Sequence, residues 1–373
     1  MSKLAELAAA VGEPLPAPTS KKKEPEVALS KEDKFKVLAE LNKSLNKQFD
    51  VKVSLVRMGE KVGVRVPSIS TNLPSLDEGA IQSGGIPRGR IVEIFGPESA
   101  GKTTLALHII ACEQRSTDNL CAIVDAEHAL DPTYAATLGV NVDELVVGQP
   151  DSGEQALTLV EDLIDSGTVS LIVIDSVAAL VPQAELDGEM GDSNMGLQAR
   201  LLSQAMRKLR GKAALKSVTL VFLNQIREKI GVFFGSPEVT TGGRALKFFA
   251  SLRLDVRRKE AIGPKEQPIG HVLKIKCVKN KMGSPMRETL VNLLYGSGFD
   301  TFADTISYAV SLKVIEQSGA SYSFNGEKIG YGLEKTIDNI RQNPQLYEQI
   351  RKNILTINKN SDTVIQVEGN SYE

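Results

Sequence analysis

The sequence predicts an α/β fold on a mostly parallel sheet, and three observations predict it. Apolar runs at Ile91–Phe95, Cys121–Asp125, Leu171–Asp175 and Thr219–Asn224 alternate with stretches of helical spacing, the pattern of a sheet covered on both faces. Gly96-Pro97-Glu98-Ser99-Ala100-Gly101-Lys102-Thr103 reads G-x-x-x-x-G-K-T and lies between the first of these strands and the apolar stretch Leu105–Ile110. That strand–loop–helix context is what a phosphate-binding loop requires. Three strands end in polar side chains, at Asp125-Ala126-Glu127, Asp175 and Asn224-Gln225, on the edge where parallel sheets bind ligands.

The loop carries the chemistry. Its glycines let backbone N–H groups close round phosphates, and the helix N-terminus adds partial positive charge. Lys102 is expected to reach the β- and γ-phosphates of ATP and Thr103 to hold Mg²⁺, with Thr104 completing the segment. Many buried strands end in Asp, but downstream of such a loop Asp175 becomes a strong candidate for supporting Mg²⁺. Glu127 is the candidate general base that orients the attacking water; a structural carboxylate fits the spacing equally well. Gln225 is placed to sense the γ-phosphate, or is an ordinary polar strand end.

Bulk composition narrows the classes. The chain has 373 residues, 42% hydrophobic and 24% charged, ordinary for one large globular domain with smaller ones attached. A net charge of −2 excludes a globally basic nucleic-acid binder, so any basic surface is local. Cys112, Cys121 and Cys277 form no C-x-x-C pair, which suggests reduced thiols, and three scattered histidines suggest no metal cluster. No apolar stretch is long enough for a membrane span and no signal peptide is evident, so a cytoplasmic protein without membrane partners is expected.

In chain order, residues 1–30 read as a tail, with Pro14, Pro16, Pro18 and Lys21-Lys22-Lys23 as a flexible linker. Residues 31–64 read as a helix and strand. Ser30-Lys31-Glu32-Asp33 is a cap and acidic first turn, Phe35, Leu38, Leu41, Leu45 and Phe49 share one face, and Val51–Val56 partly alternates. Residues 65–300 form the core. Ser251–Arg257, His271–Val278 and Glu288–Leu294 are later strands, expected to be antiparallel at the sheet edge. Residues 301–373 form a small α+β domain, with helix Ala303–Leu312, a hairpin at Tyr322–Glu327 and a helical stretch Glu334–Leu355.

Two loops on the core carry recognition signals. Arg227–Arg244 contains Gly231, Gly235, Gly242 and Gly243, yet also Ile230, Val232, Phe233 and Phe234, flanked by Arg227, Lys229 and Arg244. Apolar wedges among basic residues suit a nucleic-acid backbone and stacked bases; a lid folded on its own core is the alternative. Glu185–Gly196 ends in Asn194-Met195-Gly196, and the following helix sets Arg200, Ser203 and Arg207 on one face, where a solvated face is the alternative.

At these residues the sequence resembles the bacterial RecA recombinase family. Gly96–Thr104, Val124–Pro132, Gln149–Ala156, Ile174–Leu180, Asn194–Gly196 with Gln204–Leu209, Asn224–Arg227, Thr240–Phe248 and Val278–Lys281 are similar to its signature segments, from about Ser30 to about Gly330. The resemblance implies a RecA-like phosphate-loop core, an N-terminal polymerisation segment, and an ATP-dependent helical filament on single-stranded DNA that pairs with homologous double-stranded DNA and exchanges strands. It implies that Glu127 is the catalytic carboxylate, Gln225 the γ-phosphate sensor, and Asp131 and Tyr134 the pair lining the adenine. The loops with Met195 and Ile230 match the DNA-binding loops, and Arg200, Ser203, Arg207, Arg227 and Lys229 match backbone contacts. Lys279 and Lys281 match lysines that reach the neighbouring subunit's ATP, Phe248 an interface residue, and Lys31–Val56 the segment docking on the adjacent subunit. A self-cleaving repressor is a further partner the family suggests, and the sequence leaves it open. Three departures stand out: the long tail before Ser30, Arg244 where an uncharged residue is common, and no dense acidic run in Asn358–Glu373. A ring-forming helicase motor and a non-catalytic filament mediator are the rival readings.

Overall fold

The computed structural model describes residues 30–49, 66–189, 196–228 and 238–368. The tail, the strand expected at Val51–Val56, and Met195, Lys229, Ile230, Gly231, Val232 and Phe234 lie outside the described residues. Two units are distinguished, 1–64 and 65–373.

The first unit contributes helix α1 (Lys31–Phe49). The cap expected from the sequence forms: Ser30 Oγ accepts the Asp33 N–H at 3.2 Å, and the Asp33 carboxylate accepts the Ser30 hydroxyl at 2.7 Å and the Lys36 ammonium at 3.1 Å. Those donors hold the Asp33 carboxyl below the usual carboxylate range. Leu38 and Leu41, on the predicted apolar face, are exposed within this unit.

The second unit opens with a short antiparallel pair, β1 (Ser68–Ile69) and β2 (Ile86–Pro87). There follow β3 (Ile91–Gly96), α2 (Lys102–Ser116), β4 (Leu120–Asp125), α3 (Pro132–Thr137), β5 (Leu145–Gly148), α4 (Gly153–Ser166) and β6 (Val169–Asp175). Next come α5 (Gln183–Leu186), α6 (Leu197–Lys216), β7 (Thr219–Glu228), β8 (Glu238–Thr240), α7 (Ala245–Phe249), β9 (Leu252–Ile262), β10 (Gly270–Asn280), β11 (Arg287–Leu294) and β12 (Gly298–Phe299). They build one sheet in the order β12-β11-β10-β9-β3-β7-β6-β4-β5, with β8 paired to β7. Strands from β9 to β5 are mutually parallel, and β10, β11 and β12 add an antiparallel edge.

Side chains alternate across this sheet and define two cores. Leu171 and Val173 face Leu105 and Ile109 of α2, whereas Ile172 and Ile174 face Val160 of α4 and Leu202 and Met206 of α6. Both faces are covered, which is why β3, β4 and β6 read as continuous apolar runs rather than alternating ones.

The structure departs from the sequence reading in four places. β5 was not expected: it is short and leaves Val146 and Val147 exposed, too brief a signal to separate from a loop. The segment read as the loop Arg227–Arg244 is strand at both ends of its described part, because β7 runs on to Glu228 and pairs with β8, with Arg227 opposite Val239. The loop read as Glu185–Gly196 begins inside α5. The helix read as Glu334–Leu355 is two helices, broken at Asn343 (φ −125°, ψ 82°), since Pro344 lacks an N–H and disfavours helical geometry in the residue before it.

The C-terminal domain packs α8 (Thr301–Ser311), the three-stranded sheet β13 (Glu316–Ser318), β14 (Ser321–Phe324) and β15 (Glu327–Tyr331), and α9 (Leu333–Gln342) and α10 (Pro344–Glu368). Asn325 and Gly326, with φ of 52° and 82°, make the expected hairpin turn. Ile306, Tyr322, Phe324, Ile340 and Ile350 form its core. Asp304 ties it to the core domain by accepting the Ser75 N–H at 3.1 Å and the Ser75 hydroxyl, while Thr289 donates to Ser75 Oγ at 2.7 Å. Burial pushes the Asp304 carboxyl up to about 6, against the hydrogen bonds from Ser75.

Candidate nucleotide site and nucleic-acid interface

Strand β3 delivers the loop, and two backbone features shape it. Ser99 and Gly101 adopt φ of 56° and 89°, turning the chain into α2. A Cβ on Gly96 would stand 2.1 Å from the Val256 carbonyl oxygen, so only glycine lets β3 end against β9. Pro97, Glu98 and Ser99 are exposed, Ala100 is buried, and the Lys102 ammonium donates to the carbonyls of Gly96 at 3.2 Å and Pro97 at 2.6 Å. Burial lowers the Lys102 pKa from the usual lysine value, opposed by Asp175, Glu127 and Glu98.

The polar strand ends converge on this loop. The Thr103 hydroxyl donates to Asp175 Oδ2 at 2.8 Å. Burial pushes Asp175 up to about 6, the Thr103 hydroxyl opposes that, and Glu127 and Asp125 add to it. A hydroxyl and a carboxylate beside a lysine form a hard-oxygen donor set that fits Mg²⁺. Glu127, exposed after β4, accepts the Gln225 amide at 3.2 Å and the Ser176 hydroxyl. Asp125 is occupied structurally, accepting the N–H groups of Ala129 and Leu130 and the Gln149 amide at 3.2 Å.

A cavity of about 320 Å³ opens on Ser99–Thr104 and extends past Tyr134 to His271, Leu293, Leu294, Tyr295 and Gly296. Tyr134 OH meets Thr104 Oγ1 at 2.9 Å. Asp131, its expected partner, caps α3 by accepting the Thr133 N–H at 2.8 Å and is not part of the cavity wall. Sequence reasoning missed Ser176, His271 and Tyr295. Ser176 adjoins a residue already singled out, so proximity was a usable signal. His271 and Tyr295 arrive from antiparallel strands, and only sheet order brings them to the loop.

The basic residues divide between two places. Gly196 starts α6, Arg200 and Arg207 are exposed on it and Ser203 is half-buried. The Gln198 amide anchors the helix by donating to the carbonyls of Val177 at 2.9 Å and Leu180 at 3.1 Å, just beyond Asp175. Arg227 stands exposed on the β7–β8 hairpin, and Gly242, Gly243 and exposed Arg244 form its descending leg. Gly242 and Gly243 have φ of 79° and 75°, and Cβ atoms there would lie 2.3 Å from Leu202 and 3.0 Å from Ala199, both on α6.

Lys279, Lys281 and Phe248 cluster elsewhere. Lys279 pairs with Arg253 at the start of β9, and β9 pairs with the start of β3, so the lysines sit at the sheet edge opposite the phosphate loop of their own chain. The Lys279 ammonium donates to the carbonyls of Lys247 at 2.6 Å and Phe248 at 3.0 Å. Burial, then Lys281 and Arg253, lower its pKa. Phe248 is 68% exposed beside them. Behind them, Arg253 pairs with fully buried Glu93, which also accepts the Asn224 amide at 2.9 Å, one residue before Gln225.

A parallel sheet with a glycine loop after its central strand, a Lys–Thr pair opening the next helix and acidic groups on neighbouring strand ends defines a phosphate-loop NTPase. Residues 36–300 match the RecA N-terminal domain and residues 303–358 the RecA C-terminal domain. The chain belongs to the RecA family. It is in general terms a RecA-like ATPase of the recombinase class, and use of nucleotide and Mg²⁺, DNA binding and filament formation are general to that family. Among the described residues no helix is long and apolar enough to cross a membrane.

Proposed function

We propose that this chain is an ATP-dependent homologous recombinase that assembles into a helical filament on single-stranded DNA, pairs it with homologous double-stranded DNA and exchanges strands, with ATP hydrolysis dependent on DNA. The observation that carries this reading is the Gln225–Glu127 hydrogen bond of 3.2 Å. Gln225 lies on β7, whose extension forms one arm of the Arg227–Thr240 hairpin, so one strand links the candidate hydrolytic carboxylate to the candidate DNA loop.

In this mechanism Ser99–Thr103 and Lys102 bind the phosphates of ATP, and Tyr134 lines the base. Thr103 and Asp175 hold Mg²⁺, which neutralises phosphate charge when bound. Glu127, aligned by Ser176 and Gln225, accepts a proton from the attacking water. Lys279 and Lys281 serve the nucleotide of the adjacent subunit; their place at the far sheet edge supports this, because they cannot serve their own. Phe248 and the Lys31–Val56 segment complete that interface. Arg200, Ser203, Arg207, Arg227, Lys229 and Arg244 contact the DNA backbone, Met195 and Gly196 belong to one binding loop, and Ile230, Gly231, Val232 and Phe234 of the other separate groups of bases. Contacts to backbone and base faces imply minimal sequence specificity. A function in DNA repair and a cytoplasmic location accord with this reading.

The test is ATP turnover with and without single-stranded DNA at one stated salt concentration, in the natural chain and in Gln225→Ala. The natural chain should be strongly stimulated, and the variant should lose the stimulation. An equal response to DNA in both would remove Gln225 from the coupling, and no response in the natural chain would overturn the recombinase reading.

A further inference from the structure

The candidate base Glu127 sits on the turn 126–130, and the root of that turn is held from two sides. At its entry the Ala126 N–H donates to the Asp175 carbonyl at 2.7 Å. At its exit the Asp125 carboxylate accepts the N–H of Ala129 on Oδ1 at 3.3 Å and that of Leu130 on Oδ2 at 3.1 Å. The Gln149 amide, just beyond the end of β5, donates to the same Oδ2 at 3.2 Å. Asp125 is 2% exposed whereas Glu127 lies open to solvent, so a fixed root carries an open tip. Between the two pins His128 takes a φ of 54°, a left-handed conformation that a residue with a side chain keeps where its surroundings impose it. Asp125 and Asp175 are register partners on β4 and β6, yet their carboxylates are put to different uses. Asp175 meets Thr103 of the phosphate loop, while Asp125 meets the turn and Gln149.

We propose that Asp125 is a positioning residue for ATP hydrolysis, setting Glu127 through the turn 126–130, and that Gln149 holds Asp125 in place; this rests on Glu127 being the general base. A base must meet its water within hydrogen-bond reach, and a displacement of about 1 Å can cost about a hundredfold in rate. Ser176 and Gln225 bond the Glu127 carboxylate itself, so they orient the head group without fixing where its backbone starts. That falls to the turn. A carboxylate suits the task because both oxygens accept, and here each takes one of the two N–H groups at the turn's exit. An amide in its place has a single acceptor and sets an NH₂ against the remaining donors. The Gln149 contact reaches outward along the sheet. Val124 pairs with Gly148, which brings residue 149 level with Asp125. The hydrolytic turn is thereby tied to β4, β5 and β6 together.

The test is steady-state ATP turnover of the full chain at saturating Mg²⁺ and single-stranded DNA, beside calorimetric ADP affinity, in Asp125→Asn and Gln149→Glu. In Asp125→Asn kcat should fall about tenfold to a hundredfold with ADP affinity unchanged. Gln149→Glu sets a carboxyl against Asp125. Its turnover should be depressed at neutral pH and recover relative to the natural chain as pH falls, when the introduced carboxyl takes a proton and can again donate. Normal kcat in Asp125→Asn overturns the proposal. So does an ADP affinity that falls in step with kcat, which marks a fold loosened as a whole rather than a displaced base. A Gln149→Glu profile parallel to the natural one overturns the role given to Gln149. Glu127→Gln separates the two levels and should abolish turnover. If turnover survives there, the assignment of Glu127 as base fails and the proposal falls with it. An inactive Glu127→Gln beside an unaffected Asp125→Asn is a failure of the proposal alone.

Discussion

The two edges of the central sheet differ in chemistry. The edge where β3, β4, β6 and β7 end gathers a phosphate loop whose Thr103 bonds Asp175, and Glu127 bonded to the Gln225 amide. The opposite edge, where β9 begins and β10 ends, gathers two lysines and an exposed aromatic ring. Neither is a whole site. Among the described residues, one has no cation beyond Lys102 lining the cavity to balance a triphosphate, and the other has cations with no loop to hold the anion. Complementary half-sites at opposite ends of one subunit suit head-to-tail repetition, and a heterologous contact of that kind propagates as an open helix unless the rotation closes it into a ring.

The largest expected effect breaks the comparison directly. Lys102→Ala removes the cation of one edge and Lys279→Ala that of the other, and each alone should abolish or nearly abolish ATP turnover and strand exchange. Mixed in equal amounts, the two variants should regain part of the activity, because some interfaces then pair an intact loop with an intact lysine. Absence of any recovery in a steady-state ATPase assay of the mixture would mean that each nucleotide needs both lysines from one and the same chain, and would end the two-edge picture.

A smaller effect sharpens the loop-bearing edge. Ile230→Ala and Phe234→Ala should each weaken single-stranded DNA binding by about 1–3 kcal/mol if the side chain stacks on or wedges between bases. Fluorescence anisotropy with a labelled oligonucleotide reads this, and unchanged affinity would return the segment to a lid packed on its own core.

The smallest effect concerns the junction with the C-terminal domain. Asp304 has its pKa raised from 3.8 to about 6 in the folded chain. The native state therefore binds the extra proton, and stability from this group is greatest below about 4 and falls as pH rises to about 6. Asp304→Asn keeps an acceptor for Ser75 and should flatten that part of the pH profile. Urea midpoints across the range would show it, and an identical slope in both proteins would mean that Asp304 does not titrate there.

Much of this was legible in the sequence because it is local. The loop Gly96–Thr103, the strands ending at Asp175 and Asn224, the cap at Ser30 and the Asn325-Gly326 turn each write their geometry in a few adjacent residues. What was not legible depends on sheet order. Lys279 reads as a charged strand end until β10 is seen to run antiparallel, and His271 as a strand residue until the same reversal carries it to the cavity. β5 escaped because an exposed edge strand of four residues has no alternation to detect. Asp131 was singled out by resemblance, and the structure shows one of its carboxylate oxygens capping α3 by accepting the Thr133 N–H.

The glycines at 242 and 243 carry one last consequence. With 2.3 Å between a hypothetical methyl at Gly242 and Leu202, the descending leg of the hairpin and the helix bearing Arg200, Ser203 and Arg207 are meshed without clearance. On the proposed function, a displacement passed from Gln225 to the Gly242–Arg244 leg would be transmitted to this helix, so that both groups of DNA contacts would tighten or slacken together.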